Sequence, residues 1–133
     1  MPIESYRDLL VWQKGMDLTV MLYNLSRRFP REEIYDLVSQ LTRCAALVPA
    51  NIAEGKARSS ARDFAHFLAI ARGSLVEAET YLLLAIRLGC ITDIQACPAF
   101  DLASEVGKMR LSLRRKLLEE KPAASPIVSA PAS

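Results

Sequence analysis

Residues 61–88 read ARDFAHFLAIARGSLVEAETYLLLAIRL, and this stretch decides the fold. Phe64, Phe67, Leu68, Ala71, Leu75, Ala78, Leu82 and Ala85 recur every three or four residues, the spacing that lays side chains along one face of a helix. Their near-heptad order is the pattern of helices packed side by side. Ser60 stands at capping-box distance before Asp63, and Gly89 follows as a natural terminator, so both ends of the helix are marked. Ile70, Tyr81, Leu83 and Leu84 lie off the seam and give more apolar surface than one bundle core uses.

Toward the N-terminus, Gly55 and the polar run from Lys56 to Ser60 predict a short turn, which makes the preceding helix an antiparallel neighbour. That helix carries Ile34, Leu37, Leu41, Cys44, Val48 and Ile52 on one stripe and runs to about Ala57. Glu32 and Glu33 sit in its first turn, where acidic groups suit the positive end of the helix dipole. Pro49 inside it predicts a kink or a local break in the hydrogen-bond ladder. Phe29-Pro30 closes a first helix expected over Tyr6 to Arg28, because proline disfavours helical geometry in the residue before it. Val11, Leu18, Leu22, Leu25 and Phe29 form the core stripe of this helix, and Leu9, Trp12, Met16, Val20 and Tyr23 form a second apolar side. Toward the C-terminus, a fourth helix begins between Thr92 and Ala99, with Pro98 suited to a first turn, and carries Leu102, Val106, Met109, Leu113 and Leu117.

No strand pattern interrupts this order, so the expected fold is all-α, an antiparallel up-down four-helix bundle over residues 1–120. Residues 121–133, rich in proline, alanine and serine, are expected to form a flexible tail. The surplus apolar faces predict a homo-oligomer whose interface includes Trp12, Met16, Tyr23, Ile70, Tyr81 and Leu84. A chain of 133 residues suits one domain, and 51% apolar with 24% charged residues marks a compact globular protein. The net charge of +2, from 17 basic and 15 acidic side chains, is too even to indicate nucleic-acid binding by itself. Three cysteines, an odd number, with no signal-peptide pattern ahead of them, point to reduced thiols in a cytoplasmic protein. No apolar run approaches the ~20 residues of a membrane span, so no membrane partner is expected.

Several short words stand in order along the chain: Leu9-Leu10-Val11-Trp12-Gln13-Lys14, then Phe29-Pro30, then Glu33-x-Tyr35-x-Leu37 with Ser39-Gln40-Leu41-x-Arg43. Pro49-Ala50-Asn51-Ile52-Ala53-Glu54-Gly55 and Ala71-Arg72-Gly73-Ser74-Leu75-x-Glu77-x-Glu79 complete the set. From Tyr6 to about Leu118 the chain thereby resembles the four-helix-bundle family of 23S ribosomal RNA intervening-sequence proteins. It departs from the family's usual pattern at Cys44, where a second arginine is more common, and at Val48. The resemblance implies an up-down bundle, often a ring of five around a central channel. It also implies kinship with the accessory protein of diversity-generating retroelements, a basic pentameric barrel that contacts a reverse transcriptase and nucleic acid. For most members no activity is established.

The residues offer little to an enzyme. Asp63-x-x-His66 has the spacing of one ligand pair of a diiron bundle, but His66 is the sole histidine, so no metal and no cofactor are expected. Cys90 and Cys97 lack the spacing of a zinc site, and Cys44 lies on an apolar stripe, where a thiol acts as a small hydrophobe. Gln40, Arg43, Asn51, Glu54, Glu77 and Glu79 interrupt apolar helices. In an enzyme, Glu54 and Glu77 would share a proton for acid-base work. In a structural network, Arg43 would pair with one of them and Asn51 would satisfy backbone groups exposed by Pro49. The structural account is preferred, because Arg43 already supplies the partner. An up-down topology gathers Arg7, Lys56, Arg58, Arg62, Arg114, Arg115, Lys116 and Lys121 at one end together with Glu4, Asp8, Asp63, Glu119 and Glu120, so the excess per subunit is small. Oligomeric repetition would build it into a basic surface able to meet nucleic-acid phosphates, chiefly through Lys56, Arg58, Arg62, Arg114, Arg115 and Lys116. Helix-dipole compensation explains the same lysines and arginines without a partner. The expected function is therefore a non-enzymatic homo-oligomeric scaffold or adaptor that engages RNA or DNA through this end; the alternative is a protein-protein assembly factor with no nucleic-acid role.

Overall fold

The structure is a computed structural model and describes residues 5–30 and 35–119. It contains four helices, α1 (Leu10–Ser26), α2 (Tyr35–Lys56), α3 (Ala61–Arg87) and α4 (Asp93–Glu119), and no strand among the described residues. Each helix packs on its sequence neighbours and α4 closes onto α1, while α1 and α3, like α2 and α4, lie across the diagonals. The order of contacts fixes the directions. Gly15 meets Pro49 and Thr19 meets Ala45; Cys44 meets Glu77 and Gly55 meets Phe67; Arg110 reaches Leu68 and Arg114 reaches Ala65. Each pair of neighbours therefore runs antiparallel, and the bundle is up-down.

The core is built from the stripes that the periodicity marks. Leu18 and Leu22 of α1, Leu41, Val48 and Ile52 of α2, Leu68 of α3 and Val106 of α4 are almost wholly removed from solvent. Burying a side chain of this size contributes roughly 1.5–3 kcal/mol. Ala71, Ala78 and Ala85 of α3 face a core shared with Ala96, Ala99 and Ala103 of α4. The core row of α4 is thus Ala96, Ala99, Ala103, Val106 and Arg110, and the expected Leu102, Met109, Leu113 and Leu117 pack beside it only half-buried.

The helix ends differ from expectation in instructive ways. Tyr6–Asp8 form a separate 3-10 turn, because the Ser5 hydroxyl accepts the Arg7 amide while Asp8 accepts the Ser5 amide, and extended Leu9 follows before α1 begins. The fourth helix starts at the early limit of its expected range. Thr92 and Gln95 cap it reciprocally, Gln95 N donating to Thr92 Oγ1 at 3.1 Å and Thr92 N to Gln95 Oε1 at 2.9 Å, which leaves Pro98 inside the helix rather than in its first turn. Ser60 caps α3 as expected, and Gly89 follows it at φ +79°, a backbone setting that favours glycine. The acidic start expected for α2 at Glu32 and Glu33, its first apolar position Ile34, and the expected tail over 121–133 lie outside the described residues.

Pro49 is absorbed without ending α2. Its missing amide leaves the Ala45 carbonyl without its usual donor, and the Thr19 hydroxyl of α1 shares its one hydrogen between that carbonyl at 3.0 Å and Gly15 O at 2.8 Å. Gly15 of α1 faces the proline ring, and a Cβ added there would make an ordinary van der Waals contact with Pro49 Cβ at 3.5 Å.

Candidate nucleic-acid interface

The antiparallel order brings the C-termini of α2 and α4 and the N-terminus of α3 to one end of the bundle. Lys56 closes α2, Arg58 lies in the turn, Arg62 begins α3, and Arg114, Arg115 and Lys116 occupy the last turns of α4. Gly55 permits the tight crossing of α2 over α3 there, since a Cβ at this position would come within 2.8 Å of Phe67 Cβ and 2.9 Å of Phe64 Cδ1. Two of the six cations are engaged within the chain. Arg58 Nη2 pairs with Glu54 Oε2 at 2.8 Å and its guanidinium stacks 4.7 Å from the Phe67 ring, while Arg114 Nε donates to the Ala65 carbonyl at 3.1 Å. Lys56, Arg62, Arg115 and Lys116 make no ion pair among the described residues. Arg115 and Lys116 also line a groove of about 410 Å³ with Lys108, Leu111, Ser112 and Glu119.

The polar positions do not join as one network. Gln40, Arg43, Glu54 and Glu77 are exposed, and Asn51 and Glu79 are half-buried. Arg43 pairs with neither carboxylate: Glu54 holds Arg58, and Glu77 Oε1 accepts from the Cys44 thiol at 3.5 Å. Asn51 donates to Leu47 O at 2.8 Å, within its own helix, so the carbonyl freed by Pro49 is served by Thr19 and not by Asn51. Each expected acceptor has another partner instead: Arg58, four residues on, for Glu54; Cys44, across the α2–α3 contact, for Glu77; and Thr19, across the α1–α2 crossing, for the carbonyl that Pro49 frees.

Cys44 is buried, and burial pushes its thiol pKa up; the Glu77 hydrogen bond and charge act in the same direction, and Arg43 opposes them. Burial likewise raises the Glu79 carboxyl. His66 is exposed and packs edge-on against Phe67. No group of three or more potential metal ligands occurs among the described residues. Of the residues expected at an interface between copies, Met16, Tyr23, Ile70 and Leu84 are exposed, whereas Trp12 and Tyr81 are half-buried against the core, Trp12 in edge contact with Tyr6.

One charged residue escaped the sequence reading altogether. Arg110 is 6% exposed, at the end of the core row of α4. Its Nη1 lies 3.4 Å from Leu68 O, at the long limit of a hydrogen bond, and its Nε has no partner among the described residues. Burial lowers its pKa, and Arg72 and Arg114 nearby act in the same direction. The signal was present in the spacing, since 96, 99, 103, 106 and 110 alternate by three and four, but an arginine there reads as solvent-facing.

Comparison with known proteins bears on this arrangement directly. The sequence model of the 23S rRNA-intervening sequence proteins matches residues 7–112, a span that holds all four helices except the last turns of α4. The chain belongs to the 23S rRNA-intervening sequence protein family. A solved structure of a protein of unknown function from Bacteroides thetaiotaomicron VPI-5482, described as a member of the S23 ribosomal protein family, is similar at 28% identity. The likeness covers 80% of this chain and 99% of that one, with a TM-score of 0.73. No curated protein gives a significant match. Among the described residues no helix is long and apolar enough to cross a membrane. The matched family span stops at residue 112, so Arg114, Arg115 and Lys116 fall beyond it while Lys56, Arg58 and Arg62 fall within it.

Proposed function

We propose that this member of the 23S rRNA-intervening sequence protein family is a non-enzymatic, cytoplasmic scaffold or adaptor, assembled as a homo-oligomer of five chains, that engages RNA or DNA through the basic end of its bundle. The observation that carries the reading is the set Lys56, Arg62, Arg115 and Lys116, brought to one end from three helices and unpaired among the described residues. Exposed Met16, Tyr23, Ile70 and Leu84 supply apolar surface for self-association, and the count of five follows the family resemblance. No aromatic side chain is interleaved with these cations along the sequence, so the contact is with backbone phosphates and is weakly selective for sequence.

Salt dependence tests it. Four phosphate contacts on a single strand give a slope near −2.8 in log affinity against log salt, so binding falls roughly fiftyfold between 50 and 200 mM salt. Arg115→Glu and Lys116→Glu are expected to weaken RNA binding in a filter or anisotropy assay while leaving the oligomer mass unchanged. RNA binding that ignores both salt and these substitutions would refute the reading. A second reading, assembly with another protein and no nucleic-acid role, is favoured by the internal engagement of Arg58 and Arg114, and a protein that co-purifies despite both substitutions would support it.

A further inference from the structure

Next to the basic end, and sharing Lys108 with the groove of Arg115 and Lys116, α3 and α4 enclose a second groove of about 290 Å³ whose lining includes Arg72, Leu75, Glu79, Lys108 and Arg110. The walls are mainly apolar, and three cations stand against one carboxylate. Neither Arg72, Lys108 nor Arg110 is ion-paired among the described residues, and Glu79 is also unpaired. Arg72 and Glu79 are seven residues apart on α3, about 10 Å along the helix, so the carboxylate belongs to the other end of the groove. The arginine end is a concentrated positive site, which Arg114 reinforces from one turn further along α4.

Arg110 makes this site unusual. A guanidinium does not shed its proton within a protein, so the charge stays where the fold puts it. Burying such a charge is costly unless an opposite charge and full hydrogen bonding compensate it. Here the compensation from the chain itself is one long bond to Leu68 O, with Nε unsatisfied and further arginines nearby. A chain that needed only to fill this core position would be better served by leucine or methionine.

We propose that the arginine end of this groove binds a phosphate group, held by Arg110, Arg72 and Lys108. Arg72, Lys108 and Arg110 offer three positive charges at this end, enough for a free phosphate dianion or the singly charged phosphodiester of a strand, and the guanidinium fork pairs bidentately with phosphate oxygens as it cannot with chloride. The volume lies just under the range of about 300–1,000 Å³ typical of small-molecule sites, so the groove holds the phosphate and a small part of what it is attached to. The shared chemistry is a phosphate, whether free or carried on a nucleic-acid strand. The site adjoins the basic end, but the proposal does not depend on the role assigned to that end.

The test is phosphorus NMR on the full chain, titrated against inorganic phosphate at constant ionic strength set with chloride. Saturable broadening with one site per chain is expected, with affinity lowered at least tenfold in Arg72→Gln and in Lys108→Gln and no saturation in Arg110→Met. The methionine keeps an apolar stem, and its unfolding midpoint in chloride reports whether it folds; the two surface glutamine variants carry the test if it does not. Absence of saturable binding in the natural chain, or equal binding by all variants, would overturn the proposal. A short RNA that displaces the phosphate would assign the site to a strand's phosphate, and failure to displace it would assign the site to a free phosphate; either outcome supports the site. Arg115→Glu is expected to weaken RNA binding without changing binding of inorganic phosphate, which separates this site from the basic end.

Discussion

Pro49 has no amide hydrogen to give Ala45, and the Thr19 hydroxyl, 3.0 Å away on the adjacent helix, supplies one instead. Thr19→Val keeps the shape and removes that donor, so it is expected to cost about 1–3 kcal/mol in a urea titration, whereas Asn51→Ala, which touches only its own helix, costs less. The loss should shrink in a Pro49→Ala background, where the restored residue-49 amide serves Ala45, and a double-mutant cycle measures the difference. Cys44 gives a pH prediction. Its folded pKa is raised, so the thiol ionises first in the unfolded chain; the associated stability is intact below about pH 8.5 and is lost as pH rises toward the folded value. Cys44→Ala is therefore expected to flatten the fall in unfolding midpoint between neutral and alkaline pH, and an unchanged slope would contradict this. Arg110→Met, by removing a buried charge the chain does not itself compensate, is expected to leave stability in chloride unchanged or to raise it.

Among the elements, the α2–α3 crossing is the least tolerant. Gly55→Ala drives a methyl to within 2.8 Å of Phe67 Cβ and 3.2 Å of the Phe64 carbonyl, and backbone on one side leaves little room to relax. A loss of about 1–3 kcal/mol in thermal or urea unfolding is expected, and a neutral result would mean that the helices separate there freely. The seams of α1, α2 and α3 were legible because leucine, isoleucine and valine mark their own period: Leu18, Leu22, Leu41, Ile52, Leu68 and Leu82 all lie in the core. The seam of α4 was not, since its core row is written in alanines and an arginine, and the larger residues beside it drew the periodicity one position aside. Thr92 and Gln95 carried a readable capping pair that fixes the start of α4, masked by the more conspicuous Pro98. Hydroxyl bonds across helices, such as Thr19 to Ala45, have no spacing signature and needed the packed structure.

For the whole molecule, topology does most of the work that a net charge of +2 cannot. Folding three helix ends together concentrates Lys56, Arg62, Arg115 and Lys116, and that gathering was readable from the order of the helices alone. Which cations stay free was only partly readable: the Glu54–Arg58 pair has helical i, i+4 spacing, but the tie from Arg114 to the Ala65 backbone has no trace in the sequence. Repetition of a modest excess around a closed assembly is what would turn it into a field strong enough to hold phosphates. The decisive measurement is light scattering on the purified chain with a short RNA at 50 and at 200 mM salt. A mass five times that of the 14.8 kDa chain, growing with RNA at the lower salt and returning at the higher, is the predicted result. A stable monomer, or an oligomer whose mass is indifferent to RNA at both salts, would contradict it.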